Sequence, residues 1–194
     1  MLLAIFAASL VWLPAVGLLS LLALPVAGIF RMAVLIQRGA SVGFADFWTG
    51  MRRFAVPAMM LGLAATLVAV VLAANIVIGL SAGDILGGVF ATLALYGLVG
   101  LAMYLLAAWP IVVDPVREEL SLRSRLRLAF YVCVTRAGRM IGLTLVLGVV
   151  VAFSTVLFAA LLTITIAYVA LVASRYVLPA ADRLEGRPTV PVVS

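Results

Sequence analysis

Four long apolar blocks separate the charged segments of this chain, and they limit its fold to one that a bilayer accommodates. Of the 194 residues, 67% are hydrophobic and only 10% are charged, whereas soluble domains are about 45–50% apolar and about 25% charged. A soluble domain of this length could not hide so much apolar surface. We therefore expect an all-α, polytopic membrane protein. The blocks are Leu2–Phe30, Phe54–Leu80, Ile85–Val113 and Met140–Leu178.

Block length predicts the number of transmembrane helices. Each of the first three blocks fits one helix, because roughly 20 residues cross the hydrocarbon core. No basic residue precedes the first block, so we interpret it as a retained membrane segment and not a cleaved signal. The fourth block, Met140–Leu178, would be nearly twice too long as one helix. Two shorter helices with a turn near Ser154 and Thr155 fit better, which makes about five transmembrane helices.

The basic residues, all 13 of them arginines, support the same count. Four lie in residues 31–53, six in 114–139 and three after residue 174, but residues 81–84 hold none. Because basic loops remain in the cytoplasm, all three groups face inward only if the fourth block crosses twice. We expect a multi-pass protein of the inner (plasma) membrane, with its N-terminus outside and its C-terminus cytoplasmic. Residues 1–178 would form a single helical membrane domain, and 179–194 a short, disordered cytoplasmic tail.

The first arginine-rich connector contains a predicted amphipathic helix. Ser41 is the expected N-cap, and aromatic residues then recur at helical spacing before two arginines. This pattern is typical of a helix that lies on the membrane surface. The candidate contacts for lipid or for a partner protein on this helix are Phe44, Phe47, Trp48, Arg52 and Arg53.

The second arginine-rich connector predicts another surface helix. Asp114 is its expected N-cap, Pro115 stands in the first turn, and Glu119 is spaced to pair with Arg123. Leucines interleave with the arginines and a membrane block follows, so anionic inner-leaflet lipids are a better partner than nucleic acid. The candidate contacts for lipid or partner here are Arg123, Arg125 and Arg127.

The residue inventory argues against an enzyme. The chain has no histidine and a single cysteine, Cys133, so the commonest metal ligand and the commonest neutral-pH base are missing. We predict no catalytic residue, no cofactor and no metal site. Every acidic residue lies outside the apolar blocks, which disfavours a proton-coupled or ion-coupled transporter.

Two intramembrane residues keep a permease open as an alternative. Asn75 is the only amide inside the apolar blocks, and Tyr104 carries a hydroxyl there; more often such groups bond to a neighbouring helix. Met60–Leu63 and Met140–Leu143 suggest a repeat 80 residues apart, but apolar segments match easily by chance. Small residues at four-residue spacing allow a homo-oligomer or simply tight packing within one chain.

Short motifs in the first connector and before it resemble the YesL-like family of bacterial integral membrane proteins, whose function is not characterised. They are Leu10-Val11-Trp12-Leu13, Leu24-Pro25-Val26-Ala27-Gly28 and Phe44-Ala45-Asp46-Phe47-Trp48, with Leu126-Arg127-Leu128-Ala129-Phe130 as a second stretch. The asparagine usual before the first motif is not at Ala8 or Ser9. The resemblance implies about five spans and an accessory role in carbohydrate uptake beside transporter subunits. The function expected first is therefore a non-enzymatic scaffold for a transport system, and second a small oligomeric permease for an uncharged polar solute.

Overall fold

The computed structural model describes residue 17, residues 20–157 and residues 159–186, apart from the side chains of 155–163. These parts of the chain contain seven α-helices, one 3-10 turn and no strand. The all-α class predicted from the apolar blocks is confirmed. The α-helices are α1 (Ala23–Gln37), α2 (Phe44–Arg53), α3 (Ala55–Ala82), α4 (Ile85–Val112), α5 (Leu122–Thr135), α6 (Ala137–Leu157) and α7 (Ala159–Leu184), and a 3-10 turn spans Pro115–Arg117.

Four of these helices are long and apolar enough to cross a membrane: α3, α4, α6 and α7. In the most apolar stretch of α3 only 6% of the residues are buried, and in that of α4 only 11%. Apolar helices left this bare are stable in lipid and not in water. The fifth predicted span, within Leu2–Phe30, lies mostly outside the described residues; α1, which begins inside it, has only 15 residues.

The described residues fall into two compact units, and the single membrane domain expected over residues 1–178 stays a prediction. The first unit contains Val56–Leu101 and the described residues up to Leu24. Here α3 and the first part of α4 form a hairpin through Gly83, whose φ of 69° suits glycine. A Cβ on Gly79 would stand 2.4 Å from the carbonyl oxygen of Gly87. Only glycine therefore allows the two helices to approach this closely.

The second unit contains Pro25–Ala55 and the chain from Ala102 onward. Its core is made of small and branched apolar side chains, and Phe30 stacks on Trp109 with ring centroids 6.0 Å apart. Helix α2 packs across α1, because Gly28 leaves room for the ring of Phe47: a Cβ there would lie 2.6 Å from Phe47 Cδ2. The fully buried apolar core residues of this unit include Ala27, Val34, Ile111, Val112, Val113, Ala129, Val132, Met140, Ala173 and Val177.

Helices α6 and α7 form the antiparallel pair that the length of the fourth block predicts. The Thr165 hydroxyl donates to Ser154 Oγ at 2.6 Å. In one straight helix, residues 11 positions apart would be about 16 Å apart along the axis. The chain therefore reverses between Ser154 and Thr165. Both Ser154 and Thr155 are helical and α6 continues to Leu157, so the helix extends past the turn expected near Ser154 and Thr155.

Helices α1 and α7 both extend beyond the C-terminal ends of the apolar blocks that contain them. Helix α1 continues to Gln37 with Arg31 inside it, and ends on Gly39 at a φ of 73° with Ala40 N donating to Leu35 O. Helix α7 continues through Pro179 to Leu184, so the first residues of the predicted disordered tail are helical. Both extensions bring charged residues of the helix ends into the ion network described below.

Both N-cap predictions need correction. Helix α2 begins after Gly43 and not after Ser41, because the Asp46 carboxylate accepts a hydrogen bond from Gly43 N at 2.8 Å. Asp114 caps only the 3-10 turn, by accepting from Val116 N. Helix α5 starts later, with Ser121 Oγ accepting from Ser124 N. Glu119 consequently precedes the helix and is not in helical register with Arg123.

Candidate functional site

A buried ion network at one end of the second unit is the most distinctive chemical feature of the described chain. Arg117 is its centre, and its side chain is 0% exposed. One guanidinium nitrogen, Nη1, pairs with Asp114. The other, Nη2, lies 2.6 Å from Asp182 Oδ1 and 2.9 Å from Glu185 Oε2. One arginine thus joins the 3-10 turn after α4 to the last turn of α7 and to the residue that follows it.

Arg38, just beyond α1, joins the same two aspartates. Its Nη2 lies 2.6 Å from Asp114 Oδ2, and its Nη1 lies 2.9 Å from Asp182 Oδ2. Burial alone would lower the pKa of Arg38, but the hydrogen bonds that it donates to Asp182 and Asp114 outweigh burial, so the pKa is raised. Asp114 and Asp182 are both buried. The ends of α1, α4 and α7 are therefore joined by charge-assisted hydrogen bonds shielded from water.

A second group of arginines terminates α4. Arg31 Nη1 donates to Val113 O at 2.9 Å, and Arg125 Nη1 donates to Val112 O at 2.8 Å. These carbonyls lack helical partners, because Val116 N and Arg117 N bond instead to the side chain and carbonyl of Asp114. Cations at a helix C-terminus also interact favourably with its dipole.

Glu118 completes this second group as a bridge between two arginines. Its Oε1 lies 3.2 Å from Arg31 Nη1, and its Oε2 pairs with Arg53 at the end of α2. Helix α2 is thereby fixed to the turn after α4 as well as to α1. Arg53, one of the predicted surface contacts, pairs with Glu118 through Nη2, and 61% of its side chain stays exposed.

The structure divides the three predicted contact arginines of α5. Arg125 is buried, and its guanidinium donates to the carbonyls of Leu120, Val112 and Glu118 at 3.0, 2.8 and 2.6 Å. Burial lowers its pKa, with Glu118 and Asp114 opposing that shift. It is therefore a structural cap and not a surface contact. Arg123 and Arg127 remain exposed.

Arg123, Arg127 and Tyr104 come together at one groove. Its volume is about 840 Å³, and Ser124, Leu126 and Phe130 complete its lining. Tyr104 donates its hydroxyl to Leu126 O at 3.3 Å and so fixes α5 against α4. The hydroxyl predicted as part of an intramembrane polar site is thus engaged in helix packing.

On α2 the predicted aromatic residues form one cluster. The rings of Phe44 and Phe47 are stacked 6.0 Å apart, and Trp48 meets both edge-on. Phe44 is 73% exposed and Trp48 46% exposed, while Phe47 is seated over Gly28. Arg52 is exposed beside them. The three aromatic side chains of the predicted face therefore contact one another, and Arg52 follows Trp48 by four residues on the same helix.

Asn75 lies in the first unit and is exposed on α3. It lines an open cavity of about 400 Å³ together with apolar residues and Asp84. The Asp84 carboxylate accepts a hydrogen bond from Gly87 N at 2.7 Å and caps the start of α4. Asn75 belongs to the first unit and Tyr104 to the second.

The charged residues described above form charge-assisted hydrogen bonds between helix ends. Within the described ranges no group of three or more His, Cys, Asp or Glu side chains is placed to hold a metal ion. The carboxylates of the network are engaged by arginines. Cys133 is buried, and burial raises the pKa of its thiol to about 11, so the thiolate needed for nucleophilic attack is scarce at neutral pH.

Sequence reasoning missed the network. It placed Asp114 in a connector and Asp182 in the tail, because both fall outside the apolar blocks. The available signal was local: Asp114 directly follows Ile111–Val113, and Asp182 directly follows Ala180 and Ala181. An acid joined to an apolar run without a polar spacer is a candidate for burial, and burial requires a cationic partner. The partners, 65 and 144 residues from Asp182, leave no local trace.

Comparison with known proteins adds no relative. The chain matches no family model, no curated protein and no solved structure.

Proposed function

We propose that this chain is a non-enzymatic, multi-pass protein of the bacterial plasma membrane that serves as an accessory or scaffold subunit of a transport system. The ion network of Arg38, Asp114, Arg117 and Asp182 is the observation that carries the proposal. It fastens three helix ends to one another with buried charges. The resemblance to the YesL-like family makes carbohydrate uptake the first system to test.

The network favours a static role over an alternating one. Breaking a buried pair by removing one partner costs about 3–5 kcal/mol. An alternating-access transporter moves some helices relative to others. It would have to break such pairs in every cycle or move all the paired helix ends together. Arg117 alone contacts three carboxylates, so separating α4 from α7 at this end would expose several charges at once. A rigid support for another protein has no such cost.

The surface beside the network suits a docking role. The aromatic cluster of α2 is fixed by two contacts: Phe47 packs against Gly28 of α1, and Arg53 at the end of α2 pairs with Glu118. Exposed aromatic and arginine side chains that are held rigidly are typical of binding hot spots, because little conformational entropy is lost on association. Phe44, Trp48 and Arg52 are the residues that we assign to contact with a transporter subunit.

The orientation follows from charge. The ends that carry the network also carry the arginine-rich connectors, and basic segments are retained in the cytoplasm. In the proposal the network and α2 lie at the cytoplasmic surface, residues 81–84 lie outside, the N-terminus is outside and the C-terminus inside. This surface would be accessible to cytoplasmic subunits of a transport system.

Site-specific photocrosslinking in intact membranes tests this proposal. A photoreactive phenylalanine analogue at Phe44 should crosslink to a defined transport subunit, and deletion of this chain should slow uptake of that system's solute. The same analogue at Phe153, which is 65% exposed on the apolar α6, is the matched control and should react only with lipid. Equal crosslinking at both positions, together with normal uptake in the deletion strain, would refute the scaffold role.

The cavity around Asn75 favours one second candidate, a small oligomeric permease for an uncharged polar solute. An exposed amide beside Asp84 in a cavity of about 400 Å³ offers hydrogen bonds in an otherwise apolar setting. This candidate predicts solute flux into liposomes that contain the purified protein alone, abolished by Asn75→Leu. The absence of flux over a broad sugar and metabolite panel, while uptake in cells depends on the chain, would leave the scaffold role.

A further inference from the structure

The groove on α5 carries positive charge that nothing in the described chain balances. Helix α5 contains three arginines and no acidic residue. Of these arginines, Arg125 donates its hydrogen bonds to backbone carbonyls. Arg123 and Arg127 form no ion pair with any described carboxylate, in contrast to Arg31, Arg38, Arg53 and Arg117, which all do. These two guanidiniums are free to bind an anion from outside the chain.

The two arginines are arranged to bind one anion together. They are four residues apart and therefore on the same face of α5, about 6 Å apart along its axis. Arg127 is held in place by Tyr131: its Nε and Nη2 contact the phenol oxygen at 3.0 and 2.8 Å. Its guanidinium carbon lies 5.3 Å from the ring centroid. An arginine positioned in advance loses less entropy when it binds, and the ring does not neutralise its charge.

The remaining walls of the groove are amphipathic. Phe130 is 56% exposed and Leu126 partly exposed, and Tyr104 comes from α4, a candidate membrane span. Ser124 adds a hydroxyl close to Arg123. A hydrogen-bonding, cationic side thus meets an apolar side at the point where α5 precedes the span α6. Headgroup and acyl chain of a phospholipid meet in the same way at a membrane surface.

We infer that this groove binds one anionic phospholipid, with the phosphodiester between Arg123 and Arg127 and an acyl chain along Phe130 and Tyr104. Guanidinium forks match phosphate oxygens bidentately. A soluble phosphate would leave the exposed Phe130 ring unused, so the apolar wall favours a lipid source for the anion. The inference goes beyond the proposed scaffold role and does not depend on it.

Lipid retention measured by native mass spectrometry tests the inference on the purified full-length chain in mild detergent. The probes are dioleoyl phosphatidylglycerol, dioleoyl phosphatidylcholine and soluble glycerol phosphate. One phosphatidylglycerol should be retained in preference to phosphatidylcholine, and glycerol phosphate should not displace it. Arg123→Gln with Arg127→Gln should weaken its affinity about 30-fold, at about fivefold for each arginine at an anionic surface.

The matched control is Arg175→Gln with Arg183→Gln, which removes the same charge from two exposed arginines of α7 and should keep the bound lipid. If the Arg127 substitution disturbs folding through Tyr131, Arg123→Gln alone loses no described contact and should still weaken binding about fivefold. Equal loss in the control and groove variants, equal retention of phosphatidylcholine, or full displacement by glycerol phosphate would each overturn the inference.

Discussion

Removal of Arg117 should destabilise this protein more than removal of any exposed arginine. The substitution Arg117→Met keeps a long unbranched side chain but deletes the charge that faces Asp114, Asp182 and Glu185. Arg38 would then be the only described cation in contact with Asp114 and Asp182. The native state would carry buried negative charge without sufficient compensation.

The structure sets the size of the expected loss. Arg117 is 0% exposed and Asp114 is 0% exposed, so water does not screen this pair. Removing one partner of a buried pair costs about 3–5 kcal/mol, because the remaining charge stays desolvated. We expect the free energy of unfolding of Arg117→Met to fall by about that amount. Arg123→Met, the same substitution at an exposed arginine without a described ion pair, should cost less than about 1 kcal/mol.

Equilibrium unfolding in detergent–bicelle mixtures, followed by helical circular dichroism or by steric trapping, measures both variants. A second substitution separates loss of charge balance from loss of packing. If an uncompensated carboxylate is the cause, Asp182→Leu should restore part of the stability of Arg117→Met. The reasoning fails if Arg117→Met costs less than 1 kcal/mol, or if the two substitutions simply add.

Three further substitutions or treatments test the elements around the network. Gly28→Ala would place a methyl group 2.6 Å from Phe47 Cδ2, so α2 should loosen and trypsin cleavage after Arg52 should accelerate relative to wild type; unchanged cleavage would contradict the packing. Arg125→Met removes the donor to the carbonyls of Val112, Glu118 and Leu120 and should lower the free energy of unfolding by about 1–3 kcal/mol; an unchanged stability would contradict this capping role. Because burial raises the pKa of Cys133 to about 11, its alkylation by maleimide at pH 8 should be about 100-fold slower than that of an exposed cysteine, with a tenfold increase per pH unit up to that pKa; rapid labelling of the folded protein at pH 8 would disprove the burial.

The sequence predicts the membrane helices well because their cause is local. A run of apolar residues is sufficient to make a span, so the third block, Ile85–Val113, matches α4 at Ile85–Val112 within one residue. The reversal in the fourth block follows from length alone, and the Ser154–Thr165 hydrogen bond agrees with it. The exact break does not follow, because no glycine or proline marks the midpoint.

The candidate site is far less predictable because its cause is long-range. Charge placement shows that Asp114 follows the third block and that Asp182 lies in the tail, but not that both contact Arg38 and Arg117. Arg125 illustrates the same limit: its interleaved position among leucines is typical of a surface arginine, yet α4 ends in carbonyls that need donors. The buried face of α5 is therefore set by the end of another helix and not by the pattern of α5 itself.

The central claim is that the ion network and the connectors around it lie on the cytoplasmic side of the membrane. Cysteine accessibility in intact cells tests this claim most directly. In a Cys133→Ala background, single cysteines replace Ala40, Ala82, Glu119 and Arg183, all of which are exposed. A membrane-impermeant maleimide should label only the Ala82 position until the cells are permeabilised. Asp182 contacts Arg117, so the positions at 119 and 183 must lie on one side. Labelling at 183 with protection at 119 in intact cells would contradict the account.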